Sequence, residues 1–138
     1  MVLDSLQSQL CDIQGRLFEL SAREGYDSAP FIATFMNSET AHNYDRPYNY
    51  TQWMGEEYLL EEIAENACSD TIPKSGDMFS REALYWIGYV YRYWHFLTGE
   101  SSREIYAQAD AATMAHAYPG LHTLDVELAI DNLRELAI

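Results

Sequence analysis

Arg92 and His95 stand one helical turn apart in the greasiest stretch of this chain, Phe79-Ser-Arg-Glu-Ala-Leu-Tyr-Trp-Ile-Gly-Tyr-Val-Tyr-Arg-Tyr-Trp-His-Phe-Leu-Thr-Gly99. Between Ala83 and Leu97 only Gly88, Arg92 and His95 are neither apolar nor aromatic. An arginine and a histidine flanked by tyrosines such as Tyr89 could line an anion or nucleotide cleft, with the guanidinium stacked on a ring. The competing reading is structural: Arg92 pairs with a carboxylate such as Glu56, and His95 hydrogen-bonds to backbone. That second reading is favoured, because buried charges are normally paired.

Other constellations are weaker. The histidines His42, His95, His116 and His122 form no His-x-x-x-His pair. A single Glu39-Thr-Ala-His42 is too little for a bundle metal site, which needs two such pairs and further carboxylates. Cys11 and Cys68 have no neighbour at metal-ligand spacing, so neither metal nor cofactor is expected. No glycine-rich phosphate loop occurs, and nothing selects a nucleophilic triad, so no catalytic residue is assigned. Two sets of exposed-type residues remain as partner-binding candidates. Glu57, Glu61 and Glu65 rise along one helix face at i, i+4 spacing, and His122, Asp125 and Glu127 follow the turn Pro119-Gly120.

The elements that must position these residues are helices. Leu3, Leu6, Leu10, Ile13, Leu17 and Leu20 alternate at spacings of three and four, predicting a helix over 3–24 that Gly25 stops. Asp27 or Ser28 caps a second helix with Pro30 in its first turn and Phe31, Ile32, Phe35 and Met36 inward. Residues 37–50 are turn-rich, with room for a helical turn over 38–44. A third helix is expected from a Thr51 cap to residue 67, with Trp53 and Leu59, Leu60 and Ile63 on its buried arc and Glu56 among them. Residues 68–79 form a connector. Ser80 caps the aromatic helix and Gly99 ends it. Ser101 and Glu104 form a capping box, Asp110 caps a helix stopped at Tyr118 by Pro119, and Thr123 or Asp125 caps a last one. In that last helix Val126, Ala129, Ile130, Leu133 and Ala137 face inward. The expected fold is therefore an all-α single domain over 1–138, with halves 1–67 and 80–138. It comprises five to seven helices around a buried aromatic central helix.

Composition narrows the function classes. With 138 residues, 48% hydrophobic and 14% aromatic, the chain is long enough to bury a core and too aromatic for a disordered tail. Its 22 carboxylates outnumber 8 basic residues, giving a net charge of −14. Direct nucleic-acid binding is thereby disfavoured, and steered association with a basic protein is favoured. The first residues carry no basic stretch followed by an apolar run, and Arg92 and His95 would sit inside any bilayer span. A cytoplasmic protein that neither crosses nor binds a membrane is expected, with reduced thiols and homo-oligomers left open.

The segments Glu82-Ala-Leu-Tyr-Trp-Ile-Gly-Tyr-Val-Tyr-Arg-Tyr-Trp-His95, Thr98-Gly-Glu-Ser-Ser102 and Leu121-His-Thr-Leu-Asp125 resemble an uncharacterised family of short bacterial proteins. The ending His122-Thr-Leu-Asp-Val-Glu-Leu-Ala-Ile-Asp131 is loosely similar to a domain of unknown function found in toxin–antitoxin operons. That resemblance implies an antitoxin or accessory protein without its own chemistry, and the acidic charge adds the expectation of a basic partner, encoded beside this gene, that it neutralises. Two alternatives stand beside it. One is a small-ligand-binding protein or enzyme using Arg92, His95 and Tyr89; the other is an acidic DNA mimic.

Overall fold

The computed structural model describes residues 1–66 and 72–137, and every regular element in them is helical. Eight α-helices appear: α1 (Ser5–Arg23), α2 (Ser28–Met36), α3 (Glu39–Tyr44), α4 (Glu56–Asn66), α5 (Arg81–Thr98), α6 (Ser102–Gln108), α7 (Ala111–Leu121) and α8 (Val126–Leu136), with one 3₁₀ turn at Tyr50–Trp53. The all-α class and the central aromatic helix hold. The count exceeds five to seven because short capped segments, α3 among them, are helices in their own right. Ala67, the expected last residue of the third helix, and Cys68 lie outside the described residues.

Capping chemistry sets most boundaries. Asp4 and Gln7 make a capping box at the start of α1. At its end Gly25, at φ 93°, carries a Schellman turn in which Gly25 N–H donates to Ala22 O and Tyr26 N–H to Ser21 O. Ser38, Ser80, Ser101 and Asp110 accept the expected backbone bonds at the N-termini of α3, α5, α6 and α7. Three boundaries differ from the sequence reading. Thr51 caps nothing; Asn49 caps a 3₁₀ turn instead, and the chain restarts at Gly55 before α4. Trp53 consequently leaves the buried arc and is 66% exposed. Pro119 does not stop α7, which runs on to Leu121, because a proline in a last turn removes one bond and the His122 N–H still reaches Tyr118 O. In α8 Ala129, Ile130 and Leu133 are buried, whereas Ala137 is exposed beyond the helix end.

The architecture is organised by α1 lying against α5, which joins the N-terminal and C-terminal halves. Two glycines allow the close crossing. A Cβ on Gly88 would lie 2.5 Å from Gln14 O, and one on Gly15 would lie 2.7 Å from the Tyr85 ring. Buried Gln14 stitches the crossing by donating to Gly88 O at 2.9 Å. α4 packs on α1 and α3, while α8 packs on α5. Phe18 of α1 meets Phe31, Phe35 and Tyr91 edge-on, so one aromatic cluster connects α1, α2 and α5.

Residues 75–79 of the connector are held at the start of α2. The Asp27 carboxylate, expected to cap α2, instead accepts from the backbone N–H groups of Ser75, Gly76 and Asp77 and from the Ser75 hydroxyl. The Ser75 hydroxyl and these backbone donors outweigh burial and hold the Asp27 carboxyl below its ordinary range. Ser28 Oγ accepts from Phe79 N–H at 2.9 Å, completing the attachment. No helix among the described residues is long and apolar enough to cross a membrane.

Candidate functional site

Arg92 lies in the interior of α5 at 0% exposure, and each of its bonds has a structural address. Nε donates to Gln14 Oε1 at 2.8 Å, Nη1 to Asp45 Oδ1 at 2.6 Å and Nη2 to Ser102 Oγ at 3.1 Å. Its guanidinium sits 4.6 Å from the centre of the buried Tyr44 ring. Asp45 also accepts from the Ser102 N–H and hydroxyl. Burial pushes the Asp45 carboxyl up; Arg92, Ser102 and His95 together pull it further down, below its ordinary range. The network joins α1, the end of α3, α5 and the start of α6, and no buried side-chain nitrogen or oxygen among the described residues lacks a partner. Arg92 therefore pairs with a carboxylate as the structural reading holds, but the partner is Asp45. Glu56 is instead half-buried beside Arg16, Arg23 and Arg81.

His95 completes the same network. Its Nδ1 lies 2.6 Å from Glu100 O and its Nε2 3.1 Å from Asp45 O. A neutral imidazole donates from one nitrogen and only the protonated ring donates from both. Burial and the nearby Arg92 charge nevertheless outweigh the two carbonyls and Asp45, leaving the ring below its ordinary range. Tyr89 is half-buried and its ring lies near those of Tyr85 and Tyr93. One open cleft of about 390 Å³ borders the network, lined by Asp45 and Ser102 with Glu39, His42, Ser101 and Arg103. Arg92, His95 and Tyr89 do not line it; Arg92 is fully buried and His95 and Tyr89 are half-buried. The guanidinium spends its donors inside the bundle, on Gln14, Asp45 and Ser102.

The acidic candidates divide. Glu61 and Glu65 are exposed on α4 and make no ion pair among the described residues. Glu57, though exposed, shares a groove of about 250 Å³ with Glu19, Arg16, Arg23 and Arg81. The ridge thus begins against the chain's own cations and becomes free of them only toward its C-terminal end. Around the α7–α8 turn, His122 stacks on Tyr118 at 4.5 Å and its Nδ1 lies 2.8 Å from Tyr118 O, which stabilises the helix end. Asp125 is exposed at the start of α8, and Glu127 pairs with the N-terminal ammonium at 3.0 Å. The two sets are carried on opposite members of the central pair, α4 on α1 and α8 on α5.

The structure adds residues that periodicity placed in the core or passed over. Among the described residues Tyr48, Tyr50, Trp53 and Tyr58 are the only exposed Trp, Tyr or Phe side chains, although the chain has three Trp, eleven Tyr and five Phe. All fall within residues 48–58. Tyr50 and Trp53 sit three apart in one 3₁₀ turn, where such positions eclipse. Tyr50 and Tyr58 meet edge-to-face at 6.4 Å. The Tyr50 hydroxyl donates to Glu62 at 3.0 Å, and that hydrogen bond raises its pKa to about 12. On α4, Tyr58 shares a side with Glu61, Glu62 and Glu65 at i+3, i+4 and i+7. The available signal was Pro47 and Asn49, turn formers that interrupt the helical period just where the aromatics begin.

Among the described residues no group of three or more His, Cys, Asp or Glu gathers to hold a metal ion. Comparison with protein-family models, curated proteins and solved structures finds no match.

Proposed function

We propose that this chain is a non-enzymatic acidic binding protein of the antitoxin or inhibitor kind, acting in the cytoplasm on a basic protein partner encoded beside its gene. The observation that carries the binding chemistry is the pair Glu61 and Glu65, exposed and unpaired among the described residues next to exposed aromatics. Unpaired surface carboxylates in a chain of charge −14 set up a field that draws in a cation-rich surface. The antitoxin class rests on the resemblance of the C-terminal third. A DNA-mimic inhibitor is the form this reading takes if the partner is itself a nucleic-acid-binding protein.

Co-expression with the neighbouring gene product tests the proposal. The neighbour alone should arrest growth, and this chain should restore growth and co-purify with it. Glu61→Lys with Glu65→Lys should slow association and weaken its salt dependence. Competition by duplex DNA would select the mimic form. A harmless, non-binding neighbour, together with turnover of a small molecule by the purified chain, would overturn the reading.

A further inference from the structure

The exposed aromatics are concentrated in one short segment, where Tyr50 and Tyr58 touch edge-to-face. Tyr48 is 89% exposed and Trp53 66%, while Tyr50 and Tyr58 are also open. Every other Trp, Tyr and Phe side chain among the described residues is buried or half-buried, so this concentration within eleven residues is not a general excess of surface aromatics. Interface cores are enriched in tyrosine and tryptophan, and anchoring residues more so. Tyr50 and Tyr58 adjoin carboxylates: Glu62 is held by Tyr50 and by Thr40 Oγ1 at 3.0 Å, and Glu61 and Glu65 flank Tyr58 without cation partners among the described residues.

We propose that Tyr48, Tyr50, Trp53 and Tyr58, with Glu61 and Glu65, form a docking face for an arginine-rich segment of a basic protein partner. The inference rests on the acidic-binder reading and assigns it a surface and a recognition chemistry. Ring faces attract guanidinium groups, and arginine stacks on aromatics more readily than lysine does. Carboxylates beside the rings then accept the guanidinium N–H groups, adding charge-assisted hydrogen bonds. A second copy of this chain is a poorer occupant. A two-fold contact through this face brings the same patch of each copy together, setting Glu61 and Glu65 of one against those of the other. An anionic membrane is repelled by the same carboxylates. Division of labour follows: the carboxylates govern the rate of arrival and its salt dependence, and the aromatics govern residence time.

Labelled nona-arginine and nona-lysine peptides, titrated against the full chain at low and moderate salt, test this directly. Nona-arginine should bind more tightly than nona-lysine. Tyr48→Ala with Trp53→Ala should weaken nona-arginine binding at least tenfold, mainly through faster dissociation, with an unchanged circular dichroism spectrum and sedimentation coefficient. Glu61→Gln with Glu65→Gln should mainly slow association. Binding abolished by the glutamine variants but untouched by the aromatic ones would overturn the docking face and leave the acidic-binder reading standing. No binding of either peptide to the wild type would overturn both. Self-association of the wild type that Trp53→Ala abolishes would make a second copy the occupant and also overturn the proposal.

Discussion

The α1–α5 crossing and the 48–65 surface use overlapping residue types for opposite ends. Both combine tyrosine and tryptophan with charged side chains. At the crossing, the buried polar side chains are satisfied: Arg92 is held by Gln14, Asp45 and Ser102, and Trp94 Nε1 donates to Glu100. On the 48–65 surface the rings are open, and Glu61 and Glu65 have no cation among the described residues. Charged residues in a greasy helix thus make a structural bond network here, whereas aromatics in a turn-rich segment mark the surface available for contact. Residue type alone misleads in both places; whether bonding capacity is already consumed separates them.

The largest expected effect lies in the crossing. Asp45→Asn leaves the Arg92 charge buried without its carboxylate, and such a loss costs about 3–5 kcal/mol. Denaturant titration measures it; a loss below about 1 kcal/mol would mean that Arg92 is not held as its bonds indicate. Gly88→Ala should cost about 1–3 kcal/mol, since the added carbon would press on Gln14 O and force the helices apart. A neutral result would show that the crossing is looser than these glycines imply.

Acidification should erode the fold in two stages. His95 is held below its ordinary value of 6.5, so the unfolded chain takes up its proton first and stability falls as pH drops below about 6.5 toward the folded-state value. Asp45 and Asp27 are held below their ordinary value of 3.8, so a second loss follows as pH falls below about 4. Replacing His95 by glutamine should remove the first stage and leave the second. An unaltered pH profile in that variant would exclude His95 as its source.

A smaller effect of opposite sign is expected on the contact surface. Tyr48 has φ +65°, a conformation that favours glycine, while 89% of its surface is exposed. Tyr48→Gly should therefore raise stability by up to about 1 kcal/mol by relieving strain, and should weaken nona-arginine binding. Lower stability in this variant would show that the Tyr48 ring packs against the bundle.

Much of the fold could be read in the sequence because capping and hydrophobic period are local. Ser80, Ser101 and Asp110 each lie within three residues of the groups they cap, and the leucine spacing of α1 needs no knowledge of its partner. The rest depended on long-range contacts. Asp45 lies in a turn 47 residues before Arg92, so nothing local marks it as the partner over Glu56. The same holds for Asp27, whose acceptors' partners begin 48 residues later. Gly88 reads as a gap in an aromatic helix until Gln14 is seen against it. The candidate surface was half visible: Glu61 and Glu65 followed from spacing, but Trp53 fitted the buried arc of a helix that Gly55 in fact begins later. Glu57 belonged to the acidic ridge by periodicity, and only the fold sets Arg16, Arg23 and Arg81 around it.

The contrast between the two regions is tested most directly by urea denaturation of Trp53→Ala beside Trp94→Ala. Trp94 is fully buried in α5, and its truncation should cost about 3–5 kcal/mol. Trp53 should change stability by no more than about 0.5 kcal/mol, as surface positions do. A Trp53→Ala loss as large as that of Trp94→Ala would place Trp53 in the core and contradict the division between a closed interior and an open contact surface.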